Sequence, residues 1–71
     1  MTFGEKLKRL RCERGYSQEV LSGLSGFSRR SISYWENEKK LPKDYLCVAK
    51  ALSMALHVKP EYFFTGLNLP G

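Results

Sequence analysis

Hydrophobic residues recur at helical spacing near the start of this 71-residue chain. Phe3, Leu7 and Leu10 fall on one side of a helix, whereas the opposite side is rich in Lys and Arg. Thr2 and Glu5 stand three residues apart at the start of this segment, which is the spacing of a capping box. The pattern predicts a surface helix that begins at Phe3 and covers the core.

The stretch from Ser17 to Glu36 predicts two short helices that meet at an angle. Ser17 is a suitable N-cap for the first helix, since its side-chain oxygen can accept a backbone N–H. Gly26 ends that helix, because a residue without Cβ readily adopts the left-handed conformation of a tight turn. Phe27 can then fill the angle between the helices. The apolar residues predicted on one face of the first helix are Val20, Leu21 and Leu24.

The second of these helices has an apolar side and a polar side. Ser28 is its predicted cap, and Ile32 and Trp35 point to one side of the helical wheel. The opposite side carries Arg29, Arg30, Ser33, Tyr34 and Asn37. The helix macrodipole disfavours cations at a helix N-terminus by about 0.3–1 kcal/mol each. An external anion would remove this conflict, which favours an anionic ligand at this end of the helix.

A longer apolar helix is predicted after a basic connection that contains Pro42. Asp44 is a suitable N-cap or first-turn acid for it. Its core stripe consists of Tyr45, Val48, Ala49, Leu52, Ala55 and Leu56, and further apolar residues occupy most of the remaining circumference, namely Leu46, Cys47, Ala51 and Met54. A helix that is apolar nearly all round is normally covered on both sides. Two candidates for the outer cover are the tail of the same chain and a second copy of the protein.

Pro60 and Glu61 mark the start of a short fifth helix that contains three consecutive aromatic residues at 62–64. Three consecutive side chains cannot all point inwards from one helix. At least one of them is therefore left for the tail or for a dimer contact. Residues 67–71 form a short tail.

The composition adds a preference for a polyanionic partner. The chain has 12 Lys and Arg against 7 Asp and Glu, a net charge of +5 and a pI near 9.5. Charge alone favours nucleic acid no more than a solvated basic surface. The length suits one small domain. Because no apolar run approaches the roughly 18 residues of a membrane span and no signal peptide opens the chain, a cytoplasmic protein is expected.

The sequence offers little for catalysis or metal binding. Cys12 and Cys47 lack the number and spacing of a disulfide framework or a zinc site, so free thiols are favoured over redox sensing. His57 is the only histidine, and no second ligand stands at metal-binding spacing from it. No nucleophile–base pair, carboxylate pair or phosphate loop is visible. We therefore expect no catalytic residue, no metal and no cofactor.

A set of residues around the two-helix stretch carries a resemblance: Gln18, Leu21, Gly26, Ser28, Ile32, the run Trp35-Glu36-Asn37, and Pro42. In type and spacing they resemble the Cro and CI repressor type helix-turn-helix family, also called the xenobiotic-response-element family. The resemblance extends from about Glu5 to Gly66. It implies an all-α fold, a compact five-helix lambda-repressor-like domain over residues 1–71 with the motif at about 17–36. Ser22, Gly23 and Glu38 depart from the family pattern, which has Ala at the first position and Gly at the last.

In that family the second helix of the motif lies in the DNA major groove. By position, the resemblance implies base contacts for Arg29, Arg30, Ser33 and Tyr34. It implies phosphate contacts for Gln18, Ser28, Asn37, Lys39, Lys40 and Lys43, with a solvated loop as the alternative for the three lysines. It also implies an ion pair between Arg11 and Glu36, with a solvated arginine as the alternative. Possible dimer contacts are Met54, Phe63, Phe64 and Leu67.

Two functions of different classes follow from these observations. The first is a sequence-specific DNA-binding transcriptional regulator, of the phage or bacterial repressor type, whose homodimer reads a near-palindromic operator in double-stranded DNA through two helices about 34 Å apart. The alternative is a protein-interaction module, such as an antitoxin or a regulatory partner built on the same fold. The apolar outer face of the fourth helix and the aromatic segment favour the alternative. An enzyme has little support, and no membrane contact is expected.

Overall fold

The computed structural model describes residues 2–37 and 42–64, and these form four α-helices followed by one 3₁₀ helix. No strand occurs within these residues, which confirms the all-α fold. The helices are α1 (Phe3–Glu13), α2 (Gln18–Ser25), α3 (Arg29–Asn37) and α4 (Tyr45–Leu56), and the 3₁₀ helix is Pro60–Phe63. The fifth helix predicted from the sequence is therefore a single 3₁₀ turn of 4 residues.

The first helix starts where its capping pattern predicts. Thr2 Oγ1 accepts the backbone N–H of Glu5 at 3.2 Å, and the backbone N–H of Thr2 donates to Glu5 Oε1 at 3.4 Å, so both halves of the capping box are formed. Phe3, Leu7 and Leu10 are all buried, as the spacing predicts.

The core lies between α1, α4 and the inner sides of the two shorter helices. α1 packs against α3 and the 3₁₀ helix, α2 packs against α3 and α4, and α4 packs against the 3₁₀ helix. The buried apolar residues of the described part of the chain are Phe3, Leu7, Leu10, Leu21, Ile32, Val48, Ala49, Leu52, Leu56 and Phe63. Each helix contributes at least one residue to this cluster, so burial of a shared core fixes the angle between α2 and α3.

The predicted apolar face of α2 is only partly correct. Leu21 is completely buried, but Val20 and Leu24 are 46% and 54% exposed. The reason is that α3 and α4 cover the side of α2 that carries polar residues next to Leu21. Val20 and Leu24 lie on the other side of Leu21. The half-buried polar residues are Gln18, Ser22 and Ser25.

Phe63 is the one aromatic residue of the 3₁₀ helix that is fully buried. Its side chain therefore cannot form the dimer contact predicted for it. Its ring lies 5.3 Å from the ring of Phe3 and 5.4 Å from the ring of Tyr62. Phe64 is half-buried, with its ring 5.8 Å from that of Tyr45. A 3₁₀ helix turns by about 120° per residue, so successive side chains point in three different directions. Only Phe63 is fully buried, and Tyr62 and Phe64 pack against the edge of the core.

The fourth helix ends at Leu56, because His57 adopts the left-handed conformation (φ 59°) and its N–H donates to the carbonyl of Ser53. His57 therefore ends the helix. The outer face of α4 is largely apolar, as predicted, with Met54 71% exposed and Lys50 as an exposed polar residue. Cys12 and Cys47 are exposed free thiols. Leu67, the remaining possible dimer contact, lies outside the described residues.

Two basic side chains have structural roles that the sequence did not predict. Lys6 is buried, its Nζ donates to the carbonyl of Tyr62 at 2.9 Å, and it lies 5.0 Å from the centre of the Tyr62 ring. Arg14 Nε donates to the carbonyl of Leu56 at 2.9 Å, where the C-terminus of α4 lacks a backbone donor. Part of the positive charge of the chain therefore holds helices together.

Gly23→Ala is expected to stabilise the domain. Gly23 is exposed in α2, and a Cβ at this position would meet nothing within 4 Å in the described part of the chain. Alanine is favoured over glycine in a helix by about 1 kcal/mol, because it loses less backbone entropy on folding. Urea unfolding followed by circular dichroism should show a higher midpoint with an unchanged slope. A lower midpoint would contradict the expectation.

Candidate nucleic-acid interface

The turn between α2 and α3 is built from a glycine, a serine and an aromatic pair. Gly26 has φ 83°, and its N–H donates to the carbonyl of Ser22 at 3.0 Å, as the turn prediction requires. The hydroxyl of Ser22 donates to the carbonyl of Phe27 at 2.6 Å. The ring of Phe27 meets that of Trp35 edge-on, with ring centres 5.0 Å apart. Ser22, which departs from the family pattern, therefore stabilises the turn.

Ser28 uses its hydroxyl to cap α3. Its Oγ accepts the N–H of Ser31 at 3.1 Å, and its O–H donates to Ser31 Oγ at 3.0 Å. The phosphate contact predicted for Ser28 would therefore have to come from a backbone N–H, since the first N–H groups of a helix have no partner inside it.

A buried network holds α3 from behind. Arg11 Nε donates to Glu36 Oε2 at 2.7 Å and Arg11 Nη2 to Glu36 Oε1 at 3.0 Å, so the two predicted partners meet through two parallel hydrogen bonds. Arg11 Nη1 also donates to the carbonyl of Tyr16 at 2.7 Å. The side chains of Arg11 and Glu36 are only 12% and 2% exposed. The hydrogen bond with Glu36 raises the pKa of Arg11, and desolvation by burial lowers it to a smaller extent.

Gln18 links this network to the surface. Its Nε2 donates to Glu36 Oε1 at 3.2 Å, which fixes the orientation of the amide. One N–H and the amide oxygen remain for other partners. The phosphate contact predicted for Gln18 stays a prediction.

The outward side of α3 forms a shallow cleft of about 400 Å³. Its lining consists of Gln18, Arg29, Arg30, Ser33 and Tyr34. The structure thus brings together all four residues for which base contacts are predicted, with Gln18 beside them. Arg29, Arg30 and Tyr34 are exposed and Ser33 is half-buried.

The two arginines of the cleft have different surroundings. Arg29 Nη1 lies 3.1 Å from Glu19 Oε1, across the turn on α2. The side chain of Arg30 forms no hydrogen bond or ion pair with any residue in 2–37 or 42–64. An acid of the same chain therefore balances the charge of Arg29 at the N-terminus of α3, whereas Arg30 has no such partner among the described residues. Glu19 and Arg29 are ten residues apart, and only the angle of the turn brings them together.

The remaining predicted phosphate ligands lie towards the C-terminal end of α3 and beyond it. Asn37 is exposed, and its Nδ2 donates to the carbonyl of Ser33 at 2.9 Å and to Ser33 Oγ at 3.3 Å. Lys43 is exposed in the turn before α4. Lys39 and Lys40 lie outside the described residues.

Among residues 2–37 and 42–64, no three His, Cys, Asp or Glu side chains lie close enough together to hold a metal ion. None of the helices in these ranges has the length and apolar character to cross a bilayer.

Comparison with known proteins agrees with the fold. A family model described as helix-turn-helix matches residues 7–63. The search of curated proteins gave no match. Among solved structures, the chain is similar to the restriction-modification controller protein C.AhdI from Aeromonas hydrophila, with 34% sequence identity, a TM-score of 0.78, and coverage of 87% of this chain and 91% of that one. The chain therefore belongs to the helix-turn-helix family of DNA-binding transcription regulators of the xenobiotic-response-element type.

Proposed function

We propose that this protein is a sequence-specific regulator that inserts α3 into the DNA major groove and occupies a near-palindromic operator as a homodimer, acting as a repressor. One observation carries the base-reading part of this proposal. Arg29, Arg30, Ser33 and Tyr34 line one cleft on the outward side of α3, and the buried Arg11–Glu36 pair supports the helix from behind. A rigid rod with its hydrogen-bond donors on one side suits the major groove.

Arginine determines which bases this surface can read. A guanidinium donates two parallel hydrogen bonds to O6 and N7 of guanine, which discriminates against other bases by about 1–3 kcal/mol. Arg29 and Arg30 are both candidates for this contact. The guanidinium of Arg30 has no partner in the described ranges, and that of Arg29 is paired through Nη1 alone. Ser33 and Tyr34 add a hydroxyl each along the same cleft. We therefore propose at least one G·C pair among the positions that face Arg29 and Arg30.

Phosphate contacts fix the register of the protein and carry no sequence information directly. We propose Gln18, the N-terminal N–H groups of α3 at Ser28, Asn37 and Lys43 as phosphate ligands, together with Lys39 and Lys40 of the connection after α3. Gln18 is attached to Glu36 by a hydrogen bond, so its position is set before DNA arrives. Such preorganisation lowers the entropy lost on binding.

The second copy is proposed to pack on the outer face of α4. Met54 is exposed there, Leu46 is exposed on the same helix, and Phe64 lies half-buried beside Tyr45. The similarity to a restriction-modification controller protein supports a role in transcription control. The same exposed face of α4 favours the second candidate function, a protein-interaction module that holds a different protein.

Selection from a pool of random duplexes at a stated moderate salt concentration tests the proposal, because unspecific binding changes steeply with salt. We expect enriched sequences with two related half-sites, and a dimer in sedimentation analysis on the selected duplex. An interaction module would instead give no enriched sequence. If the protein has both activities, variants of Arg29 and Arg30 should lose DNA selection while a protein partner still binds.

Arg30→Ala should remove the preference at one base position of each half-site. The loss is expected to be about 1–3 kcal/mol for the selected duplex and much smaller for duplexes already changed at that position. Fluorescence anisotropy on a panel of single-base variants of the selected duplex measures both values. Lys43→Ala is the control, since loss of a phosphate contact should weaken all duplexes alike and reduce the salt slope by about one. If Arg30→Ala also weakens all duplexes equally, Arg30 binds phosphate and the base contact is wrong.

A further inference from the structure

Two adjacent arginines reach the same cleft, but only one of them is held by an acid of the same chain. Arg29 Nη1 lies 3.1 Å from Glu19 Oε1, whereas Arg30 has no such partner among the described residues. We propose that Glu19 is a specificity-determining residue, which orients Arg29 for a base and excludes it from phosphates. This inference rests on the proposed function of the cleft.

The pair is unsuited to stabilising the fold. The side chains of Arg29 and Glu19 are 64% and 76% exposed, so water screens the attraction between them. Exposed pairs of this kind change an equilibrium constant by a factor of about two to five. A factor of this size changes the folding equilibrium little. It is large enough to alter the ratio between the affinities for specific and unspecific DNA.

The geometry leaves Arg29 able to read a base while it stays paired. A guanidinium carries five N–H groups, and the contact with Glu19 uses one of them, on Nη1. The remaining edge can donate two hydrogen bonds to guanine. The specific complex therefore keeps the ion pair and gains the base contact, and Glu19 holds the guanidinium in position for it.

A DNA phosphate that approaches Arg29 is affected differently by Glu19. It is an anion like the Glu19 carboxylate, and it repels that carboxylate when it approaches Arg29. In an unspecific complex, therefore, Arg29 either leaves Glu19 or brings the carboxylate close to the DNA backbone. Glu19 thus weakens unspecific complexes more than the specific one, which increases discrimination against the wrong DNA sequences.

Glu19→Gln tests this inference on duplexes defined with the wild-type protein: the selected duplex and a scrambled duplex of the same length and composition. We expect the variant to bind the scrambled duplex about two to five times more tightly, with a salt dependence steeper by about one released counterion. Binding to the selected duplex should change less, so the ratio of the two affinities falls. Thermal unfolding monitors the fold of the variant.

Glu13→Gln is the matched control. Glu13 forms an exposed ion pair with Arg9 on α1 at 3.4 Å, so the substitution changes the net charge equally and leaves the cleft intact. We expect Glu13→Gln to strengthen both complexes by a similar factor and to preserve their ratio. A second arm introduces Glu19→Gln into Arg29→Ala, where its effect should not exceed that of Glu13→Gln.

The outcomes separate the inference from the function on which it rests. If wild-type protein selects a sequence but Glu19→Gln leaves the affinity ratio unchanged, the role of Glu19 is wrong and the DNA-reading function stands. If the ratio falls equally in the Arg29→Ala background, Glu19 acts without Arg29 and the inference is also wrong. If the wild-type protein enriches no sequence, both proposals are wrong.

Discussion

Glu36→Ala should remove most of the stability of the domain, by about 3–5 kcal/mol, because it leaves a buried guanidinium without its anion. Arg11 would keep only the carbonyl of Tyr16 as a partner, and Gln18 would lose its acceptor. Small domains are stable by only about 5–15 kcal/mol, and a chain of this length lies near the lower end. We therefore expect a substantial unfolded fraction at 37 °C.

Urea unfolding at 25 °C measures the loss, with two variants for comparison. Glu36→Gln keeps the size of the side chain and an oxygen that accepts from Arg11, so it should cost less than Glu36→Ala. Glu13→Gln removes an exposed acid and should change the free energy of unfolding by no more than about 0.5 kcal/mol. A loss below 1 kcal/mol for Glu36→Ala, which is roughly the range of an exposed pair, would show that the network contributes little to the fold.

The charge of Arg11 does not depend on the pH at which unfolding is measured near neutrality. The hydrogen bond with Glu36 raises the pKa of Arg11 above its unfolded value. A cation with a raised pKa contributes stability that is complete below its unfolded pKa and is lost only as the pH rises through the folded pKa. Both values lie far above neutrality for arginine. Arg11 therefore stays charged between pH 5 and pH 9, and the loss in Glu36→Ala should persist over that range.

The elements that the sequence predicted well are those fixed by local chemistry. The start of α1 depends on Thr2 and Glu5, three residues apart, and the turn before α3 depends on the left-handed conformation of Gly26. The polar side of α3 follows from a wheel of only ten residues. Short-range caps and periodicity contain the information for these features.

The elements that the sequence did not predict depend on distant parts of the chain. The exposure of Val20 depends on which side of α2 the neighbouring helices cover. The burial of Lys6 depends on its hydrogen bond to the carbonyl of Tyr62, 56 residues away. The contact between Glu19 and Arg29 depends on the angle of the turn. The Arg11–Glu36 pair was predicted only because the family resemblance supplied it, since spacing alone does not indicate a partner 25 residues away.

Gly4 is a further residue that the sequence did not single out, and Gly4→Ala is expected to destabilise the domain by at least about 2 kcal/mol. Gly4 is buried where α1 crosses the end of α3. A Cβ there would overlap the carbonyl oxygen of Trp35 and lie 3.0 Å from that of Glu36. Both atoms belong to backbone, which cannot rotate away. One signal was available, since Gly4 and Arg11 are seven residues apart and share a helix face.

Two opposing effects decide whether glycine-to-alanine substitution stabilises or destabilises the domain: the higher helix propensity of alanine and the steric clash of its methyl group. Alanine is favoured over glycine inside a helix by about 1 kcal/mol, and Gly23→Ala gains this amount without a clash. At Gly4 the same substitution forces α1 away from α3, which strains the core and the nearby Arg11–Glu36 pair. Urea unfolding of the two variants side by side should therefore move the midpoint in opposite directions. If Gly4→Ala also raised the midpoint, α1 and α3 would have room for a methyl group between them, and the close approach of the two helices would be wrong.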